Sequence, residues 1–215
     1  KMVKDQFNQA ALRLYDDLRE MVIESEDPLQ TAIKLAIAGN IIDFGVRSDL
    51  TEEEVEETVE ECLQSELVFN SARDLEQRLA QAKNILFLGD NAGEIVFDKL
   101  LLEVMPREKT TYVVKGGPII NDATMKDALD VKMNEIVRVI DNGSDVPGTI
   151  LELCSPEFKN EYQKADLIIA KGQGNYETLS EAMDKGIFFL LKVKCPVIAR
   201  DIGCEVGDIV LKQNY

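Results

Sequence analysis

The chain has 215 residues, 45% of them hydrophobic and 30% charged, enough for a self-supporting core and without the long apolar run that a membrane-spanning helix needs. It contains no histidine, which excludes Ser-His-Asp and Cys-His catalysis and the usual histidine-bearing zinc sites and leaves proton transfer to carboxylates, lysines, tyrosines or water. A net charge of −16 repels nucleic acid and anionic membrane, so an anionic small substrate would need a metal ion or convergent lysines.

The first part of the chain reads as helices. Phe7, Ala10, Ala11, Leu14, Leu18, Met21 and Val22 recur at three- and four-residue spacing and predict one amphipathic helix from Gln6 to Ile23. Asp27 and Pro28 open a second, Leu29 to Ala38, expected to end at Gly39-Asn40. Thr51 with Glu54 forms a capping box for a third, carrying Val55, Val59, Cys62 and Leu63 on one face and the glutamate run 52–61 on a solvated one. Residues 1–82 hold 8 basic and 19 acidic side chains, residues 83–215 hold 16 and 21. The acidity is thus concentrated in the helical part.

Near Lys83 the period changes. Short apolar runs at 84–88, 111–114, 136–140, 167–170, 187–191 and 208–211 alternate with helical patterns at 94–105, 123–133 and 176–185. The alternation predicts an α/β fold, a Rossmann-like, mainly parallel sheet with helices on both faces. We expect a helical subdomain over 1–82 packed on an α/β catalytic domain over 83–215. The four cysteines, Cys62, Cys154, Cys195 and Cys204, form no Cys-x-x-Cys pair and read as free thiols. Nothing marks a secretory signal, and the expected location is the cytoplasm.

In open parallel sheets ligands bind beyond the carboxyl ends of the strands. Gly89-Asp90-Asn91-Ala92-Gly93-Glu94, Lys115-Gly116-Gly117-Pro118 with Asn121-Asp122, Asp141-Asn142-Gly143-Ser144, Lys171-Gly172-Gln173-Gly174-Asn175, and Lys192 and Lys194 all fall at such ends. Asp90 and Asn91 would serve either as helix caps or, with Asp122 at the start of another helix, as a hard all-oxygen site for magnesium or manganese. Lys171 before Gly172 and Gly174 could neutralise phosphate beside a helix amino terminus, a weaker signal than a P-loop. Lys115 and Lys192 are either solvated or turned to the crevice. Asn40 and Asp43, at i and i+3, would close it from the helical side.

Taken in order, Gly39-Asn40-Ile41-Ile42-Asp43, Gly89-Asp90-Asn91-Ala92-Gly93-Glu94, Lys115-Gly116-Gly117-Pro118-Ile119-Ile120-Asn121-Asp122-Ala123 and Ala170-Lys171-Gly172-Gln173-Gly174-Asn175-Tyr176-Glu177 resemble the damage-control phosphatase family, most strongly over residues 83–215. The resemblance implies a metal-dependent phosphatase acting on sugar phosphates or damaged phosphometabolites with a divalent cation, manganese, cobalt, nickel or magnesium. It carries the metal triad to Asp90, Asn91 and Asp122, the phosphate-binding segment to Lys171, Gly172 and Asn175, and the later strand-end lysine to Lys192, with Lys194 two residues away. Glu94 matches the acidic residue after the metal pair.

The mechanism inferred from this match has the cation activate a water, Lys171 and backbone amides stabilise the transferring phosphoryl group, and a ligating aspartate or Glu94 orient or deprotonate that water. An aspartyl-phosphate route is disfavoured, because no Asp-x-Asp follows the first strand of the α/β part. Two other readings compete: an S-adenosylmethionine-dependent carboxyl methyltransferase, which leaves the Asp-Asn-Asp set unexplained, and a non-catalytic metal- or nucleotide-binding module.

Overall fold

The computed structural model describes residues 2–41, 52–182 and 184–214. Asp43 and Thr51, singled out above, lie outside them. The helices are α1 (Met2–Glu24), α2 (Pro28–Ile41), α3 (Glu52–Gln64), α4 (Ala72–Gln81), α5 (Glu94–Glu103), α6 (Met125–Asp130), α7 (Pro156–Lys164), α8 (Gly172–Leu179) and α9 (Pro196–Ile202). The strands are β1 (Leu67–Val68), β2 (Ile85–Leu88), β3 (Thr110–Val114), β4 (Arg138–Asp141), β5 (Leu167–Lys171), β6 (Ile187–Lys192) and β7 (Ile209–Gln213). They form one sheet in the order β1-β7-β6-β5-β2-β3-β4, parallel except where β7 runs against β6.

Strands covered on both faces are apolar unless a buried charge is paired, and β2 and β5 are fully buried along their length, with Lys171 at the end of β5 the one charged residue among them. Alternate residues face opposite layers. Ile85 and Phe87 pack with α1, α2, α3 and α5, while Leu86 and Leu88 pack with α7, α8 and α9. One apolar cluster therefore runs from Phe7 and Ile33 in the first helices to Ile169 and Leu190 in the sheet. The chain leaves β2 for β3 and β4 on one side and reaches β5 and β6 on the other. The gap between the carboxyl ends of β2 and β5 is the switch point at which open α/β sheets take ligands.

Several elements differ from the reading of the sequence. β1 lies before residue 83 and joins the sheet by parallel pairing with β7; two residues are too few to show alternation. Helix α2 does not stop at Gly39-Asn40 but runs to Ile41. The glycine is there for approach, since a Cβ at Gly39 would sit 2.9 Å from Phe97 of α5. Helix α6 is shorter than 123–133: it starts after the Thr124 cap, whose side chain and that of Asp127 form a capping box, so Asp122 precedes the helix. Elsewhere the local signals hold. Asp27 Oδ1 accepts from the Gln30 amide at 2.9 Å, and on α3 Val55, Val59 and Cys62 are buried while Glu56, Glu57, Glu60 and Glu61 are exposed. Among the described residues, no helix is long and apolar enough to cross a membrane.

Candidate functional site

The turn after β2 is built without the side-chain cap that Asp90 or Asn91 would supply. Helix α5 starts from Gly93 at φ 81°, with no side-chain cap. The Gly93 amide donates instead to Asn8 Oδ1 of α1 at 2.8 Å. Asp90 and Asn91 are held by backbone: Asn91 and Asp122 form an antiparallel bridge, the Ala123 amide donates to the Asp90 carbonyl at 2.7 Å, and the Ala92 amide donates to that of Asn121 at 2.8 Å. The loops after β2 and β3 are thus stitched together, which brings Asp90, Asn91 and Asp122 to one place although some thirty positions separate them in the chain.

Around that pair lies a buried polar network. Asp90 Oδ2 accepts from the amide nitrogens of Asn40 at 3.0 Å and Asn91 at 2.9 Å. Glu94 Oε2 accepts from the same two nitrogens, each at 2.9 Å. Glu94 Oε1 receives the Lys171 ammonium at 2.7 Å, which also donates to Asp98 Oδ1 at 2.5 Å and to the Ala36 carbonyl at 2.8 Å. Tyr112 donates to Asp98 Oδ2 at 2.7 Å. Glu94, Asp98 and Lys171 are each 0% exposed, a degree of burial that ionised groups accept only when paired.

The charges in this network are unevenly compensated. Burial, then Glu94 and then Asp122 push the Asp90 carboxyl well above the usual carboxylate range, against the pull of Lys171 and Lys194. Burial also opposes the charge on Glu94, but the Lys171 ammonium and the two asparagine amides outweigh it and hold Glu94 below its ordinary value. Asp98 shares the same lysine. Burial, partly offset by Lys171, pushes its carboxyl up to about 6. Lys171, buried but facing two carboxylates, is held protonated. Burial raises Asp122 against the pull of Lys115.

Not every residue expected at the crevice sits as the sequence suggested. Lys171 was expected to meet phosphate; in this structure its ammonium hydrogens go to three protein acceptors and none is presented outward. Glu94 is equally engaged, so neither the lysine nor this glutamate is free to touch a reacting group. Lys115 is buried and directed at the carbonyls of Val146, at 3.1 Å, and Gly148, with Asp122 Oδ2 3.6 Å away. Gly172, at φ 79°, lies against the Asp90 carboxylate so closely that a Cβ there would overlap it. Asn175 is buried and bonds the carbonyls of Gly89 and Lys171 and the Thr149 hydroxyl. Of the two late lysines, Lys194 reaches the rim, donating to the Asn40 carbonyl at 2.9 Å. Lys192 is half-buried at the end of β6.

The donor set suits a divalent cation. Asp90, Asn91 and Asp122 offer oxygen only, the chemistry of magnesium or manganese sites. Asp90 Oδ2 and the Asn91 amide nitrogen are engaged with protein, which leaves Asp90 Oδ1 and the Asn91 amide oxygen as the free ends. Asn40 Oδ1 is buried with no hydrogen-bond donor. Among the described residues, no group of three His, Cys, Asp or Glu could hold an ion, so such a site needs the asparagine amide as well as the two aspartates.

Residues that sequence reading passed over complete the surroundings. Asp98 lies four positions after Glu94 and so on the same face of α5, a signal present in the sequence but masked by its apolar neighbours. Tyr112 looked like one more strand residue. Lys4 and Asn8 of α1 reach across the chain: Lys4 donates to the Asp122 carbonyl at 2.6 Å and pairs with Asp127 at 2.9 Å, and Asn8 donates to Asp127 at 3.0 Å. No local pattern announces contacts over more than a hundred positions.

Comparison with known proteins supplies an independent line. A family model described as the damage-control phosphatase ARMT1-like domain matches residues 1–210. A Methanocaldococcus jannaschii protein described as uncharacterized is 45% identical over 220 residues, covering 98% of this chain and 72% of that protein. A Pyrococcus horikoshii protein named a damage-control phosphatase is 44% identical over 188 residues, covering 86% of this chain and 65% of that protein. A crystal structure described as a DUF89 family protein from Pyrococcus horikoshii superposes with a TM-score of 0.89 at 39% identity, over 100% of this chain and 74% of that one.

Proposed function

The chain belongs to the ARMT1-like damage-control phosphatase family, and from that premise we propose that it is a metal-dependent phosphoric monoester hydrolase whose crevice between β2 and β5 accepts small phosphorylated metabolites. Sugar phosphates and damaged phosphometabolites are the substrate classes. The observation that carries the reading is the meeting of Asp90, Asn91 and Asp122 through the Asn91–Asp122 bridge, where the crowding of Asp90 by Glu94 and Asp122 calls for a cation.

Manganese, cobalt, nickel or magnesium held by these three residues would supply Lewis-acid polarisation of the phosphoryl group and a more acidic attacking water. The protein's own groups do the rest. Glu94 keeps its charge beside Lys171 and fixes the amides of Asn91 and Asn40. Lys171 contributes through Glu94 rather than by touching phosphate. The first N–H groups of α8, at Gly172-Gln173-Gly174, form a helix amino terminus next to Asp90 and suit a phosphoryl oxygen. Lys194 at the rim neutralises incoming phosphate, the part expected of Lys192. Asn175 holds the β2 and β5 ends together through the Gly89 and Lys171 carbonyls, and Lys115 steadies Asp122 and the 146–148 loop. Asp122 orients the attacking water.

The test is phosphate release from p-nitrophenyl phosphate and a panel of sugar phosphates, first in EDTA and then with each cation, alongside Asp90→Ala. Release should require metal and fall by at least about 100-fold in the variant. Absence of release with every cation, together with binding of S-adenosylmethionine or a nucleotide, would overturn the reading.

A further inference from the structure

We propose that Asp98 is a positioning residue: by fixing Lys171 and, through it, Glu94, it sets the amides of Asn91 and Asn40 with their nitrogens turned inward and their oxygens left free. The inference rests on the proposed use of Asp90, Asn91 and Asp122 as a cation site.

The contacts form an unbroken chain. Tyr112 donates to Asp98 Oδ2 at 2.7 Å, Asp98 Oδ1 accepts from Lys171 at 2.5 Å, Lys171 donates to Glu94 Oε1 at 2.7 Å, and Glu94 Oε2 holds both amide nitrogens at 2.9 Å. An amide whose nitrogen is tied to a carboxylate has its oxygen turned away from it, so Glu94, together with Asp90 Oδ2, sets which end of Asn91 is available. Lys171 reaches Asn40 a second way. Its bond to the Ala36 carbonyl grips α2 one turn before Asn40, on the same helical face. The anchor is also set from below. A Cβ at Gly89 would overlap the Tyr112 hydroxyl, so that hydroxyl lies directly against the strand end that carries Asp90.

A purely structural role accounts poorly for Asp98. Lys171 and Glu94 already form a neutral buried pair, and the neighbours of position 98 on α5, among them Ile95, Phe97 and Leu101, are buried and apolar. A second carboxylate adds a negative charge beyond the one that Lys171 neutralises, and it is held there because Lys171 and Tyr112 both donate to it. What it contributes is geometric: with Glu94 and the Ala36 carbonyl it gives the ammonium three acceptors and therefore one orientation.

The experiment measures manganese affinity of the whole chain at 25 °C, thermal midpoint in EDTA, and kcat and KM for a sugar phosphate, in wild type, Asp98→Asn and Tyr112→Phe. Asp98→Asn should weaken manganese binding about tenfold to 100-fold and lower kcat more than it raises KM. Because that variant also removes a charge, Tyr112→Phe, which removes none, separates position from charge. It should weaken binding roughly threefold and alter the manganese EPR line shape in the same sense. A folded Asp98→Asn that binds manganese as wild type does would overturn the proposal, as would an unchanged affinity in Tyr112→Phe; the latter decides the matter if Asp98→Asn fails to fold. Wild type that binds no divalent cation would remove the underlying reading of the crevice, a result distinct from wild type that binds and a variant that binds equally well.

Discussion

The two edges of the sheet handle charge in opposite ways. At the amino ends of β2, β3 and β4 lies a cavity of about 650 Å³ lined by Lys83, Lys109, Arg138, Glu161 and Lys164 among others. There the charged groups are mostly exposed, and Arg138 and Lys164 both meet Glu161, at 2.7 and 3.1 Å. Helix carboxyl ends converge on that edge, and cations answer their negative poles, as Arg107 does at the Glu103 carbonyl. At the carboxyl ends, Asp90, Glu94, Asp98 and Asp122 crowd together with Lys171 as the fully buried cation among them. The charges at the amino-end cavity face solvent; those at the crevice face one another. Buried, mutually opposed carboxylates mark the carboxyl ends of the strands as the place where pKa values are perturbed.

The sharpest way to break this contrast is Asp90→Asn, which removes one crowded charge while keeping an acceptor for the Asn40 and Asn91 amides. Phosphate release should fall on the order of 1,000-fold, while the thermal midpoint in EDTA rises, because a carboxylate destabilised by its neighbours has gone. A lower midpoint would mean that the carboxylates at this edge are not in conflict.

Gly172→Ala probes the same edge sterically. Its φ of 79° and the overlap of the new Cβ with Asp90 should cost about 1–3 kcal/mol of stability and reduce turnover on the order of 100-fold through displacement of Asp90. Wild-type kinetics in this variant would show that the Asp90 position tolerates movement.

Smallest is the effect at the opposite edge. Arg138→Ala removes an exposed partner of Glu161 and should change stability by less than about 1 kcal/mol and leave kcat and KM unaltered. A pronounced loss of turnover would show that the basic edge is coupled to the crevice and that the comparison is wrongly drawn.

Much of the architecture could be read from the chain. The apolar runs matched β2 through β7 within a few residues; strands buried on both faces, as β2, β5 and β6 are along nearly all their length, admit little else, while β4, exposed at Arg138 and Asp141, shows a shorter apolar stretch. The stripe on α1 and the acidic face of α3 follow from helical period. The strand-end residues Asp90, Asn91 and Asp122 were also legible, since polar residues after a buried strand have few places to go. Lys171 was legible as a strand-end ammonium but not in the partners it meets. Glycine-rich sequence after a strand suggests an anion at the ammonium, whereas the contact with Asp98 depends on α5 lying beneath β5. Lys194 and Lys192 could not be separated by sequence, because at a strand end the direction of a side chain is set by the neighbouring element, here the Asn40 carbonyl of α2.

What the sequence alone determined is therefore local: period, strand identity, the absence of imidazole chemistry, and a set of oxygen and ammonium groups at strand ends. What the tertiary structure decided is which of these meet. Lys4 against the Asp122 carbonyl, Asn8 against Gly93 and Asp127, the Asn91–Asp122 bridge, and Lys171 between Glu94 and Asp98 join groups from about thirty to more than a hundred positions apart. The physical reason is that backbone propensities and hydrophobic period act over a few residues. The pairing of buried charges depends instead on how the layers pack, and it is that packing which directs Lys171 inward and leaves the amide oxygens of Asn40 and Asn91 unengaged.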